Sequence, residues 1–172
     1  MTTSLIAQRP TVVVATMLAA AVAACSSTST PSGLGKPDIS LSADTVAGAG
    51  SLAELQQRRA AWVARGIDNY RYELRISCFC AGDIRRPVLV EVRSGAVSKV
   101  WDLETARPVA DVTPYPTITG LYDKAVEMRS GGGHVSVAYD SSLGFPARLE
   151  VGTIANDAGI LYYIGAVTNL GR

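Results

Sequence analysis

The chain has 172 residues, of which 48 % are hydrophobic and 18 % charged, a composition typical of a folded domain and not of a disordered chain. Sixteen lysines and arginines stand against fifteen aspartates and glutamates, so no basic excess favours nucleic-acid binding and no acidic excess indicates a solvating tail. One histidine and three cysteines are too few ligands for a large metal cluster. These counts exclude several classes of protein and indicate no substrate.

The beginning of the chain has the pattern of an export signal. Residues 11–24 carry no charged side chain. At about 1.5 Å per residue they would span roughly 21 Å as a helix, less than the ~30 Å hydrocarbon core of a membrane. We therefore predict a signal peptide over residues 1–24 and not a transmembrane helix.

This run ends in Val22-Ala23-Ala24-Cys25, which resembles the lipobox of bacterial lipoproteins. In that motif an aliphatic residue and two small residues precede a cysteine that receives a diacylglyceryl group and begins the mature chain. The resemblance implies that Cys25 is the lipidation site; the alternative is an ordinary secretory signal with a cysteine there by chance. Because two acyl chains hold a protein at a bilayer far more firmly than one, we expect a lipid-anchored protein on the extracytoplasmic face of the cell membrane.

The segment after Cys25 has the composition of a spacer. Residues 26–50 are mostly Ser, Thr, Pro, Gly and Ala, and such a segment buries too little apolar surface to offset the entropy of folding. We predict that residues 25–50 comprise the lipidated cysteine and a flexible linker, which as a coil would reach about 25–30 Å from the membrane.

Regular periodicities begin at Ser51 and predict one domain over residues 51–172. Residues 51–54 have the form of a helix capping box, and apolar residues then recur at helical spacing up to Gly66. Over residues 70–80, apolar and polar side chains alternate, which predicts a strand with one buried face. Residues 87–93 and 96–103 predict two further strands, joined by Ser94-Gly95 as a hairpin turn. In the strand over residues 96–103, Lys99 and Asp102 fall on opposite sides. In either register, therefore, one of these two charged side chains points toward the buried face.

The second half repeats this order. An apolar helical stripe follows Thr117 as its cap and ends at the glycines 131–133. Strands are predicted around Val137 and Leu149 and over residues 160–167, with turns at 140–144 and 156–159. We therefore predict an α+β fold in the order α-βββ-α-βββ, an antiparallel sheet of about six strands with two helices packed on one face.

Cys78-Phe79-Cys80 is the constellation that offers candidate chemistry. In an exported protein with Cys25 acylated, the two remaining cysteines are expected to form a disulfide. Cα atoms two residues apart in a straight strand lie about 6.6–6.8 Å from each other, at the upper edge of the disulfide range. A bond therefore requires the strand to bend, and Gly82 permits a change of direction. Two buried free thiols, a redox pair and a site for a soft ion such as Cu(I) stay open as alternatives.

No residue pattern indicates catalysis. The sequence lacks a G-x-S-x-G elbow, and no Lys-Ser or Lys-Thr follows the three glycines at 131–133. His134 precedes a predicted strand on its polar side, where a solvent-exposed imidazole is expected. We predict no catalytic residue, no cofactor and no resident metal.

Several motifs between Leu52 and Val167 together resemble a known family. They are Arg59-x-x-Trp62, Asn69-Tyr70-x-Tyr72-x-Leu74, Ser77-Cys78-Phe79-Cys80, Val90-Glu91-Val92-x-x-Gly95, Thr117-Ile118-x-x-Leu121-Tyr122 and Val137-x-Tyr139-Asp140-x-x-x-Gly144-Phe145-Pro146. In this order they are similar to domain of unknown function 6174, a family of small exported bacterial proteins that often carry a lipobox. The resemblance implies a fold and an exported location, and it implies no activity.

We accordingly expect a membrane-anchored bacterial lipoprotein of the envelope. Its domain is expected to bind or modulate an envelope protein or ligand through its sheet face or hairpin loops, without catalysis and without nucleic acid. The alternative is a thiol-redox or copper-handling envelope protein that uses Cys78-Phe79-Cys80.

Overall fold

The computed structural model describes residues 45–152 and 158–171. The predicted signal peptide, Cys25 and most of the predicted linker lie outside these residues, as do the first two residues of the predicted turn at 156–159. Within the described part, no helix combines the length and the apolar character needed to cross a membrane.

Within the described residues, eight strands form one antiparallel sheet, which is accompanied by two α-helices. The order of strands across the sheet is β1-β6-β7-β8-β2-β3-β4-β5. The elements are β1 (Thr45–Gly48), α1 (Leu52–Ala64), β2 (Tyr70–Cys78), a 3-10 helix (Gly82–Arg85), β3 (Val88–Arg93), β4 (Ala96–Asp102), β5 (Arg107–Pro108), α2 (Ile118–Ser130), β6 (Val135–Asp140), β7 (Pro146–Val151) and β8 (Ile160–Asn169).

The α+β class and the antiparallel sheet are confirmed, but the predicted strand count is too low and the predicted order is incomplete. β5 is a two-residue strand that pairs with the end of β4. β1 lies inside the segment predicted as flexible linker, where Thr45–Gly48 pairs with β6. That prediction is wrong for these residues because the edge of β6 supplies main-chain hydrogen-bond partners, which composition does not reveal.

Both helices begin at the predicted caps. The Ser51 hydroxyl accepts a hydrogen bond from the Glu54 amide at 3.3 Å, and the Glu54 carboxylate accepts one from the Gly50 amide at 3.1 Å. The carboxylate thus reaches the residue before the cap, a variant of the capping box. The Thr117 hydroxyl likewise accepts from the Gly120 amide at 3.0 Å.

The helices cover one face of the sheet and form the core with it. Trp62 of α1 lies edge-on to Tyr70 of β2 and to Phe145, with ring centroids 5.7 and 6.4 Å away. The Tyr70 hydroxyl accepts from the Ile118 amide at 3.0 Å, and the Tyr72 hydroxyl donates to the Pro116 carbonyl. These two bonds attach the start of α2 to the central strand of the sheet.

The predicted hairpin turn between β3 and β4 is confirmed. Ser94 and Gly95 both have positive φ, 49° and 77°, the conformation of a type I′ turn. A register shift between Glu91 and Val92 settles the sides of β4: Lys99 is exposed opposite the core, and Asp102 is buried on the core side. The buried carboxylate is compensated by the amides of Glu104 and Thr105, at 2.8 and 3.0 Å.

The opposite side of the sheet, called the outer face below, has neither helix packed on it. Strand register and alternation place charged and aromatic side chains on this face. Its residues are Arg71, Glu73, Arg75, Ser77, Leu89, Glu91, Arg93, Lys99, Trp101, Arg148, Glu150, Leu161 and Tyr163.

Candidate functional site

Strand β2 ends where the two cysteines meet. β2 stops at Cys78, Phe79 and Cys80 form a bend, and the sulfur atoms of Cys78 and Cys80 lie at bonding distance as a disulfide-like pair. Their Cα atoms are 5.3 Å apart, closer than the ~6.6–6.8 Å of a straight strand. The bend expected for such a pair is therefore present, and the prediction that the strand continues to Cys80 is wrong.

The chain continues from this bend into the 3-10 helix Gly82–Arg85. The Ile84 amide donates to the Ala81 carbonyl at 3.2 Å, which holds Ile84 close to the two cysteines. We call Cys78, Phe79, Cys80 and the adjoining cavity the Cys corner.

Three large hydrophobic side chains of the described residues are exposed, and Phe79 is the most exposed of them. Its surface is 87 % accessible, against 53 % for Val46 and 52 % for Val63. Cys78 and Cys80 are each half-buried, and Cys78 packs against the core. The expected core-side location thus holds for Cys78 in part, whereas Cys80 lies beyond the strand. The bend aims the phenyl ring between the cysteines outward.

A cavity of about 350 Å³ opens beside this ring. Small-molecule sites have volumes of about 300–1,000 Å³, so the cavity is large enough for a small ligand or for a few side chains of a partner. It is lined by Ile76, Cys78, Phe79, Cys80, Ile84, Pro114, Lys124, Ala158, Gly159, Ile160 and Tyr162.

The lining is mostly apolar, with two polar groups besides the sulfur atoms. Lys124 of α2 contributes an ammonium group, and Tyr162 of β8 contributes a hydroxyl. Burial raises the pKa of Tyr162 above its ordinary value, so the hydroxyl stays protonated at neutral pH and can donate a hydrogen bond. The cavity can therefore accept an apolar group with an acceptor or a negative charge at one end.

The sequence patterns identify the cysteines of this site but not its other walls. Lys124 lies on the polar side of the α2 stripe, and only tertiary packing brings it beside the corner. Tyr162 belongs to the alternation of β8, where it is indistinguishable by pattern from any core residue. The alternation predicts that Phe79 lies on the solvent-exposed side of a continuing strand, whereas in the structure the ring is exposed at the bend that follows Cys78.

The remaining residues considered from the sequence lie elsewhere. His134 is exposed just before β6. Arg148 and Glu150 form an ion pair of 3.5 Å on the outer face. Among the described residues, no group of three or more His, Cys, Asp and Glu side chains is arranged to hold a metal ion.

Glu91 is the most strongly engaged carboxylate of the outer face. It accepts from Arg71 at 2.7 Å and from Arg93 at 3.0 Å. The hydrogen bonds from Arg93 and Arg71 lower the pKa of Glu91 below its ordinary value. The carboxylate thus stays ionised and holds both guanidinium groups at the sheet surface.

Comparison with known proteins identifies one family. A family model described as "Family of unknown function (DUF6174)" matches residues 54–169. This range includes α1 from its third residue onward, both cysteines of the corner and every strand after β1. No curated protein and no solved structure matches the chain.

Proposed function

Because the chain belongs to the DUF6174 family, a family of unknown function, we propose a function from its own residues. The protein is a lipid-anchored lipoprotein of the bacterial envelope, attached through Cys25, and its domain binds a partner at the Cys corner without catalysing a reaction.

The exposure of Phe79 beside a cavity with mostly apolar side chains carries the binding part of this proposal. A phenylalanine that is 87 % exposed forgoes about 1.5–3 kcal/mol of hydrophobic stabilisation, which a partner that covers the ring would recover. The Cys78–Cys80 pair closes a very short loop around this residue, so little conformational freedom is left to lose on binding. A rigid aromatic anchor next to a cavity is the usual centre of a binding surface.

The anchor part of the proposal depends on the sequence Val22-Ala23-Ala24-Cys25. A diacylglyceryl group on Cys25 would keep the domain at the membrane surface, where a second binding event becomes effectively intramolecular. The proposed partner is therefore another component of the envelope.

Site-specific crosslinking in producing cells tests the binding part. A photoreactive phenylalanine analogue at position 79 of the full-length chain should give discrete adducts with one or a few envelope components. The matched control carries the analogue at Glu127, which is exposed on α2 and does not line the cavity. Equal adduct patterns at the two positions, or none at position 79, would contradict binding at the corner.

A second candidate is thiol–disulfide exchange at Cys78 and Cys80, and the position of Lys124 favours it. Lys124 lines the same cavity as both cysteines, and a nearby ammonium group stabilises a thiolate. In such a reaction a partner dithiol would attack the Cys78–Cys80 bond through a mixed disulfide. The partner would leave oxidised to a disulfide, and the pair would gain two electrons and two protons as two thiols. The reduced pair would also offer two soft ligands to Cu(I).

The double variant Cys78→Ser, Cys80→Ser separates the two candidates. Binding through Phe79 should persist in the variant with reduced strength, because the ring and the cavity walls remain. Exchange with a glutathione redox buffer, and retention of added Cu(I), should be lost completely. A wild-type bond that stays oxidised across the buffer range, with no Cu(I) retained, would contradict the second candidate.

A further inference from the structure

The outer face of the sheet carries an excess of positive charge that the helices do not cover. From the part of the chain that the structure describes, it presents five cations and three carboxylates. The cations are Arg71, Arg75, Arg93, Lys99 and Arg148, and the carboxylates are Glu73, Glu91 and Glu150.

Part of this charge is held in place by ion pairs. Glu91 lies between Arg71 and Arg93, and its side chain is only 8 % exposed whereas theirs are 44 and 45 % exposed. The carboxylate is thus buried beneath two accessible guanidinium groups, and the surface of this cluster is positive.

Two further cations are free to meet a partner. Arg75 and Lys99 are exposed, and within the described part of the chain neither forms an ion pair. Arg75 lies opposite Tyr163, which lies opposite Arg148 on the next strand. This register places one arginine on each side of the Tyr163 ring.

The second aromatic ring of the face has the same surroundings. The Arg71 guanidinium and the Lys99 ammonium each lie 6.0 Å from the centroid of the Trp101 ring. Trp and Tyr rings flanked by Arg and Lys are the side chains that favour the interface between anionic headgroups and acyl chains. Arg71 of one cluster and Arg75 of the other lie on the same side of β2, so both clusters belong to one face of the sheet and can contact one surface together.

From this arrangement we infer that the outer face binds the anionic phospholipid headgroups of the membrane to which the chain is attached. The inference rests on the proposed lipid anchor. Nineteen residues separate Cys25 from Thr45, where β1 begins, and in no conformation do they span more than about 70 Å. The domain is therefore confined near the bilayer, where weak contacts suffice to orient it.

Docked in this way, the sheet would lie on the membrane and the helices would face away from it. Each lysine or arginine near an anionic surface strengthens the contact about fivefold, an effect that salt weakens. Loss of Arg75 and Lys99 should therefore shift the equilibrium between docked and free domain about 25-fold toward the free domain.

Tryptophan quenching by brominated lipids tests the docking directly. The full-length lipidated protein is reconstituted into phosphatidylcholine vesicles, with or without phosphatidylglycerol, whose acyl chains carry bromine. The protein has two tryptophans. Trp101 lies on the outer face, whereas Trp62 lies in the core and is 3 % exposed. The Trp101→Phe variant, in which only Trp62 fluoresces, therefore serves as the reference. We expect Trp101 to be quenched only with phosphatidylglycerol, and less at high salt.

Charge variants distinguish docking by the outer face from general attraction. Arg75→Gln with Lys99→Gln should abolish most of the quenching. Arg65→Gln with Arg129→Gln removes the same charge from exposed positions at the ends of the two helices, outside the Cys corner, and should leave quenching unchanged. Equal quenching with and without phosphatidylglycerol, or equal effects of the two double variants, would overturn the inference.

Flotation of the same vesicles separates this inference from the anchor. Protein that floats with the vesicles but shows no quenching would overturn docking by the outer face, keep the anchor, and favour a protein or polysaccharide as the occupant of the face. Protein that floats with neither kind of vesicle would overturn the anchor and the docking together.

Discussion

Among the described residues, the buried hydroxyls of Tyr70 and Tyr139 differ in whether they have a hydrogen-bond partner. Tyr70 is 2 % exposed, and its hydroxyl accepts from the Ile118 amide at the start of α2. The Tyr139 hydroxyl, by contrast, is buried without a hydrogen-bond partner among the described residues. These two side chains offer a matched pair for measuring what a buried hydroxyl contributes.

Tyr70→Phe should lower the free energy of unfolding by about 1–3 kcal/mol, because it leaves a buried amide without an acceptor. Tyr139→Phe should leave stability unchanged within about 0.5 kcal/mol or raise it slightly, since it removes an unsatisfied polar atom. Urea unfolding of both variants beside the wild type measures the difference. Equal losses in the two variants would contradict this assignment of the hydrogen bonds.

Alkaline pH should unfold the domain through the same residues. Burial raises the pKa of Tyr70 and that of Tyr139 to about 12 from 10.0. An unfolded tyrosine therefore ionises at a lower pH than a folded one, and the stabilisation is complete below pH 10 and is lost as pH rises toward 12. Each of the two residues accounts for roughly 3 kcal/mol over this range.

Urea unfolding at a series of pH values, with phenolate absorbance recorded in parallel, checks this dependence. The Tyr70→Phe variant should lose less stability than the wild type between pH 10 and pH 12, because one raised pKa is absent. A wild-type stability that stays constant over that interval would contradict the burial of these hydroxyls.

At the scale of single elements, the hairpin between β3 and β4 has a turn residue that is not the best for its conformation. Ser94 has φ of 49°, a region that asparagine tolerates better than serine. Ser94→Asn should therefore raise the free energy of unfolding by about 0.5–1 kcal/mol. Ser141→Asn, at an exposed turn position without positive φ, is the control and should change little in thermal or urea unfolding. A loss of stability in Ser94→Asn would be the contrary result.

The Cys78–Cys80 pair should contribute little to global stability. A bond that closes a loop of three residues removes only about 1.6 kcal/mol of unfolded-state entropy. The Cys78→Ser, Cys80→Ser variant should therefore fold, with at most that loss in urea unfolding. A variant that fails to fold would contradict this expectation, because it would show that the pair is needed for the stability of the whole domain and not only for the shape of the Cys corner.

The elements that could be predicted from the sequence are those with a local signal: an apolar periodicity that reflects burial, a helix cap or a turn residue. The alternation from Tyr70 onward, the caps Ser51 and Thr117, and the turn at Ser94 all carry local signals that the structure follows. β1 carries none, because an edge strand with exposed side chains is held by main-chain pairing that any short segment can supply. The same reason explains the Cys corner: its cysteines are visible in the sequence, whereas Lys124 and Tyr162 come together only through packing.

At the scale of the whole molecule, the sheet separates two surfaces with different chemistry. The helices cover one face and leave the Cys corner at the end of β2, where Phe79 is exposed beside a mostly apolar cavity. The outer face carries Arg75, Lys99 and Trp101 on the opposite side of the sheet. With the outer face docked on the membrane, the corner would stay accessible at the margin of the sheet for a partner in the envelope.

The lipid anchor is common to both proposals, and the intact mass of the protein extracted from the membranes of producing bacterial cells tests it most directly. We expect a chain that begins at Cys25, carries at least two acyl chains, and is lighter by the mass of two hydrogens than the same chain after reduction. Cys25→Ser should appear with residues 1–24 still attached or in the soluble fraction. A wild-type chain that retains residues 1–24, or one with an unmodified Cys25, would contradict the anchor.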